Sequence, residues 1–137
     1  MGIDVELLVE ELKRDEGYRA QVYQCSAGVA TVGYGHNLEQ GRIPEYIAEN
    51  LLHHDIDEAI ADCESLNWFY TLDAVRKRVI VNMMFNIGMT RLLGFKKMIA
   101  AIELKDYNRA ADEMYDSKWR VQVGDRAKRL VEMMRNG

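Results

Sequence analysis

Apolar side chains near the N-terminus recur at Ile3, Leu7, Leu8 and Leu12, with Glu6, Glu10 and Glu11 between them. Steps of three and four predict a first helix over residues 3–15, ended by Gly17. The period then changes. Tyr18, Val22, Tyr23, Val29, Thr31, Val32 and Tyr34 are strand formers, punctuated by Gly28, Gly33 and Gly35. They predict a hairpin or small meander with Cys25-Ser26-Ala27-Gly28 as its turn. Pro44, the sole proline, suits the first turn of a helix. Ile47, Leu51, Ile56, Ala59 and Ile60 then form one stripe among acids, so a long helix is expected over 45–65. The rest reads as helical. Thr71 is placed as the cap of a helix through Val75, Val79, Ile80, Met83 and Met84 that stops near Gly88. Thr90 opens a short helix through Leu93, and residues 95–104 form another. Asp106 caps 107–116, and Asp125 caps 126–135. The expected class is α+β, as one domain over 1–137. It comprises a small β lobe at about 17–44, a connecting helix at 45–65, and a helical bundle at 66–137 to which helix 3–15 is assigned.

Composition adjusts this picture little. At 137 residues, 48% of them hydrophobic, the chain can build a core without staples. No run of 18 apolar residues is present, so no membrane insertion is expected. The acidic, amphipathic start lacks the basic and apolar regions of a signal peptide, which predicts synthesis in the cytoplasm. A net charge of −4 speaks against nucleic acid as a partner. Charge is uneven, however. Residues 39–73 are acid-rich, while Lys118, Arg120, Arg126, Lys128, Arg129 and Arg135 make the C-terminus basic. That basic face suits an anionic polymer or plain solvent equally. Cys25 and Cys63 are expected as free thiols. No cysteine–histidine cluster has metal-ligand spacing. His53 and His54, adjacent on a helix, point about 100° apart, so no metal and no cofactor are expected.

The candidate chemistry lies in one local stretch. Glu16 closes the first helix, Cys25 sits in the hairpin turn, and Thr31 precedes Gly33-Tyr34-Gly35-His36. Taken singly, each has an ordinary reading: a solvated helix-end glutamate, a small turn residue, a strand threonine, turn glycines and a structural histidine. Together they offer an acid, a thiol and a hydroxyl within reach of one another.

As a set, Asp15-Glu16-Gly17, Tyr23, Gly28 and Thr31-Val32-Gly33-Tyr34-Gly35-His36 resemble the phage-type lysozymes, the glycoside hydrolases of bacteriophage endolysins. The likeness continues through Leu72-Asp73-Ala74-Val75-Arg76, Asn82-Met83-Met84-Phe85-Asn86-Ile87-Gly88, and Trp119 followed by Asp125-Arg126-Ala127-Lys128-Arg129. It implies a lysozyme-like fold and Glu16 as the acid that protonates the glycosidic oxygen. Thr31 and the residue at position 25 would position water and stabilise the cationic sugar. His36 and Arg126 are implied as supports near the acid, and Phe85 and Asn86 as lining for the saccharide. Position 25 departs from the family: Cys25 stands where an aspartate is usual. A thiol beside a carboxylate, with no basic neighbour in sequence, is expected to stay neutral. The implied activity is hydrolysis of the β-1,4 bond between N-acetylmuramic acid and N-acetylglucosamine in peptidoglycan, lysing a bacterial host. The implied protein is a monomer, reaching the periplasmic wall through a holin pore. Cys25 also leaves a second reading, a catalytically impaired lysozyme-fold module that binds peptidoglycan or regulates. A third is an acidic helical interaction protein.

Overall fold

A computed structural model describes residues 2–137. The order is α1 (Val5–Glu16), β1 (Arg19–Gln24), β2 (Ala30–Gly33), β3 (His36–Asn37), α2 (Glu45–Glu64), a 3-10 turn (Asn67–Thr71), α3 (Ala74–Leu93), α4 (Lys96–Glu103), α5 (Tyr107–Tyr115), α6 (Lys118–Val123) and α7 (Asp125–Asn136). This is the α+β arrangement expected. The chain forms two compact units, the first ending at Glu49 and the second covering Asn50–Gly137. Helix α2 is continuous across that boundary. No described helix is long and apolar enough to cross a membrane.

In the first unit, Asp4 caps α1 by accepting from the Leu7 N–H at 3.1 Å. Gly17 ends the helix, its N–H bonding the Lys13 carbonyl at 3.0 Å. The sheet is an antiparallel meander, β1-β2-β3. Its register pairs Arg19 with Gly33 and Tyr23 with Thr31, so four steps along β1 match two along β2. The surplus residues form a bulge, which bends and twists β1.

The second unit holds the apolar core. Val79, Ile80, Met83 and Met84 of α3, Met98 and Ile102 of α4, Met114 of α5, and Leu130, Val131 and Met134 of α7 are all buried. Helix α5 packs on α4 and α7, and α3 packs on α7. Small residues permit the close approach: Ala101, Ala110, Ala111 and Ala127 are buried at these helix contacts. Methionine supplies much of the remaining volume, since an unbranched thioether fills irregular gaps.

Several local expectations change. Thr71 does not cap α3; its hydroxyl donates to the Trp68 carbonyl at 2.7 Å inside the 3-10 turn, and Asp73 caps the helix from the Arg76 N–H. Asp125 is the first residue of α7 and not its cap, which is Gly124 with no side-chain bond. Helix α6, capped by Ser117, had no counterpart in the sequence reading. Its six residues are too few to establish a period. Gly88 does interrupt α3. At φ 80° and ψ 171° it leaves helical space, although a Cβ there would meet nothing within 4 Å. The glycine is required by the backbone conformation, not by crowding. On α2, Ile47 and Leu51 are exposed and only Ala59 and Cys63 are buried, so the apolar stripe engages the core only in its second half.

Arg76 clamps the bundle. Its guanidinium donates to Asp73 at 2.7 Å, to the Met134 carbonyl at 2.7 Å and to the Arg135 carbonyl at 3.0 Å, and lies 3.9 Å from the centre of the Tyr107 ring. A cation thus meets the carbonyl end of α7, where the helix dipole favours it. Replacing Arg76 by alanine is expected to destabilise the fold by about 2–4 kcal/mol, since it strips charge-assisted bonds from half-buried carbonyls. Urea unfolding monitored by circular dichroism measures this. Asp73 contributes a pH dependence. The Arg76 backbone N–H, and then its guanidinium, hold the Asp73 carboxyl below its ordinary 3.8. Its stabilisation is therefore full above about pH 4 and fades as pH falls through the depressed value. Asp73→Asn should flatten that acid limb of the stability profile.

Candidate active site

The last residue of α1 and the β2–β3 turn meet at Glu16 and Gly35. A Cβ built on Gly35 would lie 2.6 Å from Glu16 Oε2 and 2.8 Å from its Cδ. The carboxylate therefore rests directly on the glycine backbone, which at φ +74° is also in a conformation that side chains resist. Glu16 itself remains exposed to solvent. Gly-x-Gly in this chain thus provides a hairpin turn together with a seat for the acid.

Cys25 begins the β1–β2 turn. Its N–H donates to the Val29 carbonyl at 2.9 Å, and its carbonyl accepts from the Gly28 N–H at 2.8 Å. Thr31 is the one buried polar residue among those described, 3% exposed, and its hydroxyl donates to the Val29 carbonyl at 2.8 Å. The backbone amides of Val29 and Ala27, with a smaller contribution from the Thr31 hydroxyl, hold the Cys25 thiol below its ordinary 9.0. The Thr31 hydroxyl has one proton and two acceptors in reach, the Val29 carbonyl and the Cys25 sulfur. The thiol's pKa is thus lowered without a basic neighbour in sequence. No cation is needed, because a tight turn aims peptide N–H dipoles at the sulfur. Cys63 is the opposite case: burial, then the neighbouring Asp62 and Glu64 charges, push its thiol up to about 12. Both cysteines are free.

His36, on β3 opposite Val32, is exposed. Its ring lies against Gly41, where a Cβ would be 3.3 Å from Cε1. The sheet therefore brings Cys25 and Thr31 together and places His36 one residue beyond the seat of Glu16.

The remaining candidates lie in the second unit. Arg126 Nε donates to Asn82 Oδ1 at 2.9 Å, and a second guanidinium nitrogen reaches the Asn82 carbonyl at 3.4 Å. Asn86 accepts the Trp119 indole N–H at 2.9 Å, which commits its oxygen to packing and leaves its amide group available. Phe85 is not core; it is 43% exposed and lines a groove of about 710 Å³ with Ile56, Ile60, Tyr70, Asn82 and Arg126. Asn82 is the residue the sequence reading missed as a participant. The available signal was its place one turn before Asn86 on α3, on the face that also carries Phe85. His54 is flanked by Asp55 at 3.4 Å from Nδ1 and Glu58 at 3.7 Å from Nε2, all exposed. The two carboxylates engage opposite ring nitrogens, which does not make a chelate.

Residues 13–136 match the family described as phage lysozyme. Among curated relatives, probable T4-type lysozyme 1 of Dictyostelium discoideum is 28% identical over 97% of this chain and 96% of its own length. An endolysin of Acyrthosiphon pisum secondary endosymbiont phage 1 is 35% identical over 79% of this chain and 73% of that protein. The pre-baseplate central spike protein Gp5 of Enterobacteria phage T4 is 25% identical over 95% of this chain and 28% of its own length.

The two thiols should separate cleanly in reactivity. Iodoacetamide at neutral pH should label Cys25 and leave Cys63 unmodified in the folded protein, because only Cys25 combines access with a depressed pKa. Peptide mass mapping over a pH series should place the labelling midpoint of Cys25 below 9.0. Equal labelling of the two cysteines would contradict the turn geometry.

Proposed function

The chain belongs to the phage lysozyme family, and on that premise we propose that it is an endolysin. It hydrolyses the β-1,4 bond between N-acetylmuramic acid and N-acetylglucosamine of peptidoglycan and so lyses a bacterial host. The reading rests on one observation above the others: the Glu16 carboxylate seated on Gly35, in the same small sheet that carries Cys25 and Thr31. A glycosidic oxygen needs a proton to leave, and Glu16 supplies it. The sugar left behind develops positive charge and needs a nearby anion or a positioned water. Thr31 positions the water. Position 25 faces the same cationic sugar; its thiol has a pKa lowered by the turn amides of Val29 and Ala27, and a carboxylate there would carry more charge at neutral pH. The family resemblance supports His36 and Arg126 as supporting residues and Phe85 and Asn86 as saccharide-binding residues. A ring face suits Phe85 and a hydroxyl suits the amide of Asn86. The protein acts as a monomer, without metal or cofactor. It reaches the periplasmic wall through a holin pore made by another protein.

Release of reducing ends from purified sacculi tests this reading. Glu16→Gln should lower the rate by roughly 10²–10⁴-fold, as expected for loss of a general acid, with the fold intact. Equal, negligible release by wild type and Glu16→Gln would leave a wall-binding module without catalysis. Gly35→Ala should cost about 1–2 kcal/mol of stability through left-handed strain, and should lower the rate further by displacing the carboxylate. Restoring the acid with Cys25→Asp should raise activity at neutral pH, and Cys25→Ala should lower it. Alkylation of Cys25 should abolish it. Full activity after complete labelling would place the thiol outside the reaction.

A further inference from the structure

The 3-10 turn carries three aromatics in succession, Trp68, Phe69 and Tyr70. Three residues per turn send successive side chains about 120° apart. Each has a different fate. Phe69 is buried, 5% exposed, and anchors the turn in the core. Tyr70 is exposed and lines the groove beside Phe85. Trp68 is half-buried in a separate depression of about 550 Å³, lined by Ser65, Leu66, Asn67, Trp68, Thr71 and Glu103. That depression shares no lining residue with the Phe85 groove.

We propose that the Trp68 depression is a second saccharide-binding site, which holds a glycan strand of the wall on a surface distinct from the Phe85 groove. The identity of the polymer rests on the peptidoglycan reading above; the chemical class rests on the lining. Pyranose rings present apolar C–H faces and a rim of hydroxyls, so they favour an aromatic surface edged by amides and carboxylates. Trp119, the other tryptophan, is 3% exposed and gives its N–H to Asn86. The Trp68 N–H has no partner among the described residues and remains in contact with solvent. The Asn67 amide makes no side-chain hydrogen bond, and Glu103 joins none of the ion pairs among the described residues. Ser65 and Thr71 spend their protons on the Asp62 carbonyl at 2.6 Å and the Trp68 carbonyl at 2.7 Å, which leaves their oxygens as acceptors. Donors and acceptors therefore line the same depression as the Trp68 ring. The lining carries no cation and a single carboxylate, which disfavours phosphate and acidic peptide and suits a neutral polyhydroxyl ligand. The turn is also pre-organised. Helix α4 packs on it, and the Phe69 N–H bonds the Leu66 carbonyl at 3.0 Å, so little ordering is left for the ligand to impose. On a polymeric substrate a weak second contact raises local concentration at the catalytic unit.

The test uses the Glu16→Gln protein, so that ligand is not consumed. Both tryptophans emit, and Trp119 is bonded to Asn86, so the ligand-dependent change is assigned to Trp68 by its loss in Trp68→Phe, where only Trp119 remains. Titration with an N-acetylglucosamine tetramer should give a saturable fluorescence change. Asn67→Ala and Glu103→Ala, both exposed, should weaken it without unfolding the chain. Retention on purified sacculi should fall roughly tenfold in Trp68→Ala and recover in Trp68→Phe, which keeps the stacking face. A tetramer that leaves the fluorescence unchanged, with sacculus retention equal in all four variants, would overturn this inference. Hydrolysis by the wild-type protein is measured in parallel and judges the muramidase reading separately.

Discussion

The guanidinium of Arg76 is the contact on which the second unit depends. It touches the start of α3 through Asp73, α5 through Tyr107, and the end of α7 through two main-chain carbonyls. Removing those contacts would leave the three elements to be aligned mainly by apolar packing, much of it by adaptable methionines. Arg76 sets the start of α3, and α3 presents Asn82, Phe85 and Asn86 on one face before Gly88 breaks it. The partners of that face, Arg126 on α7 and Trp119 on α6, come from the elements that the same core holds. Two faces thus divide one helix: its buried side orders the bundle, and its other side arranges polar groups.

The first unit works by different physics. Among its described residues only Thr31 is buried, so its geometry comes from backbone hydrogen bonds and glycine conformations more than from packed side chains. That suits a site whose groups must stay wet. Glu16 is positioned by what is absent at Gly35, and Cys25 by peptide dipoles that cost no further reorganisation when charge appears on sulfur. A turn that stabilises an anion through amides tolerates either a thiolate or a carboxylate.

Much of this was legible in the chain as written. Helix α1, the hairpin region, the long α2 and the stop at Gly88 follow from side-chain period and from glycine, which are local properties. The Glu16, Cys25, Thr31 and Gly33-x-Gly35-His36 set was legible too, because one short stretch carries it. Helix boundaries were less so. Thr71, Asp73 and Asp125 are all competent caps, and which one serves depends on where the preceding turn runs. Helix α6 and the 3-10 turn are too short to show a period.

Other features existed only once the chain had folded. Sequence identifies Cys25 as a thiol, but not that the N–H groups of Ala27 and Val29 face it, since that depends on turn dihedrals. It lists Arg126 and Asn82, 44 positions apart, without pairing them. It shows three adjacent aromatics at 68–70 without saying that one is anchor and two line separate hollows. The sequence by itself determined which groups are available and which segments repeat with helix or strand period, because both are set within a few residues. Tertiary structure alone decided which groups meet, which stay wet and which lose their ordinary pKa, because each depends on neighbours that arrive from distant parts of the chain.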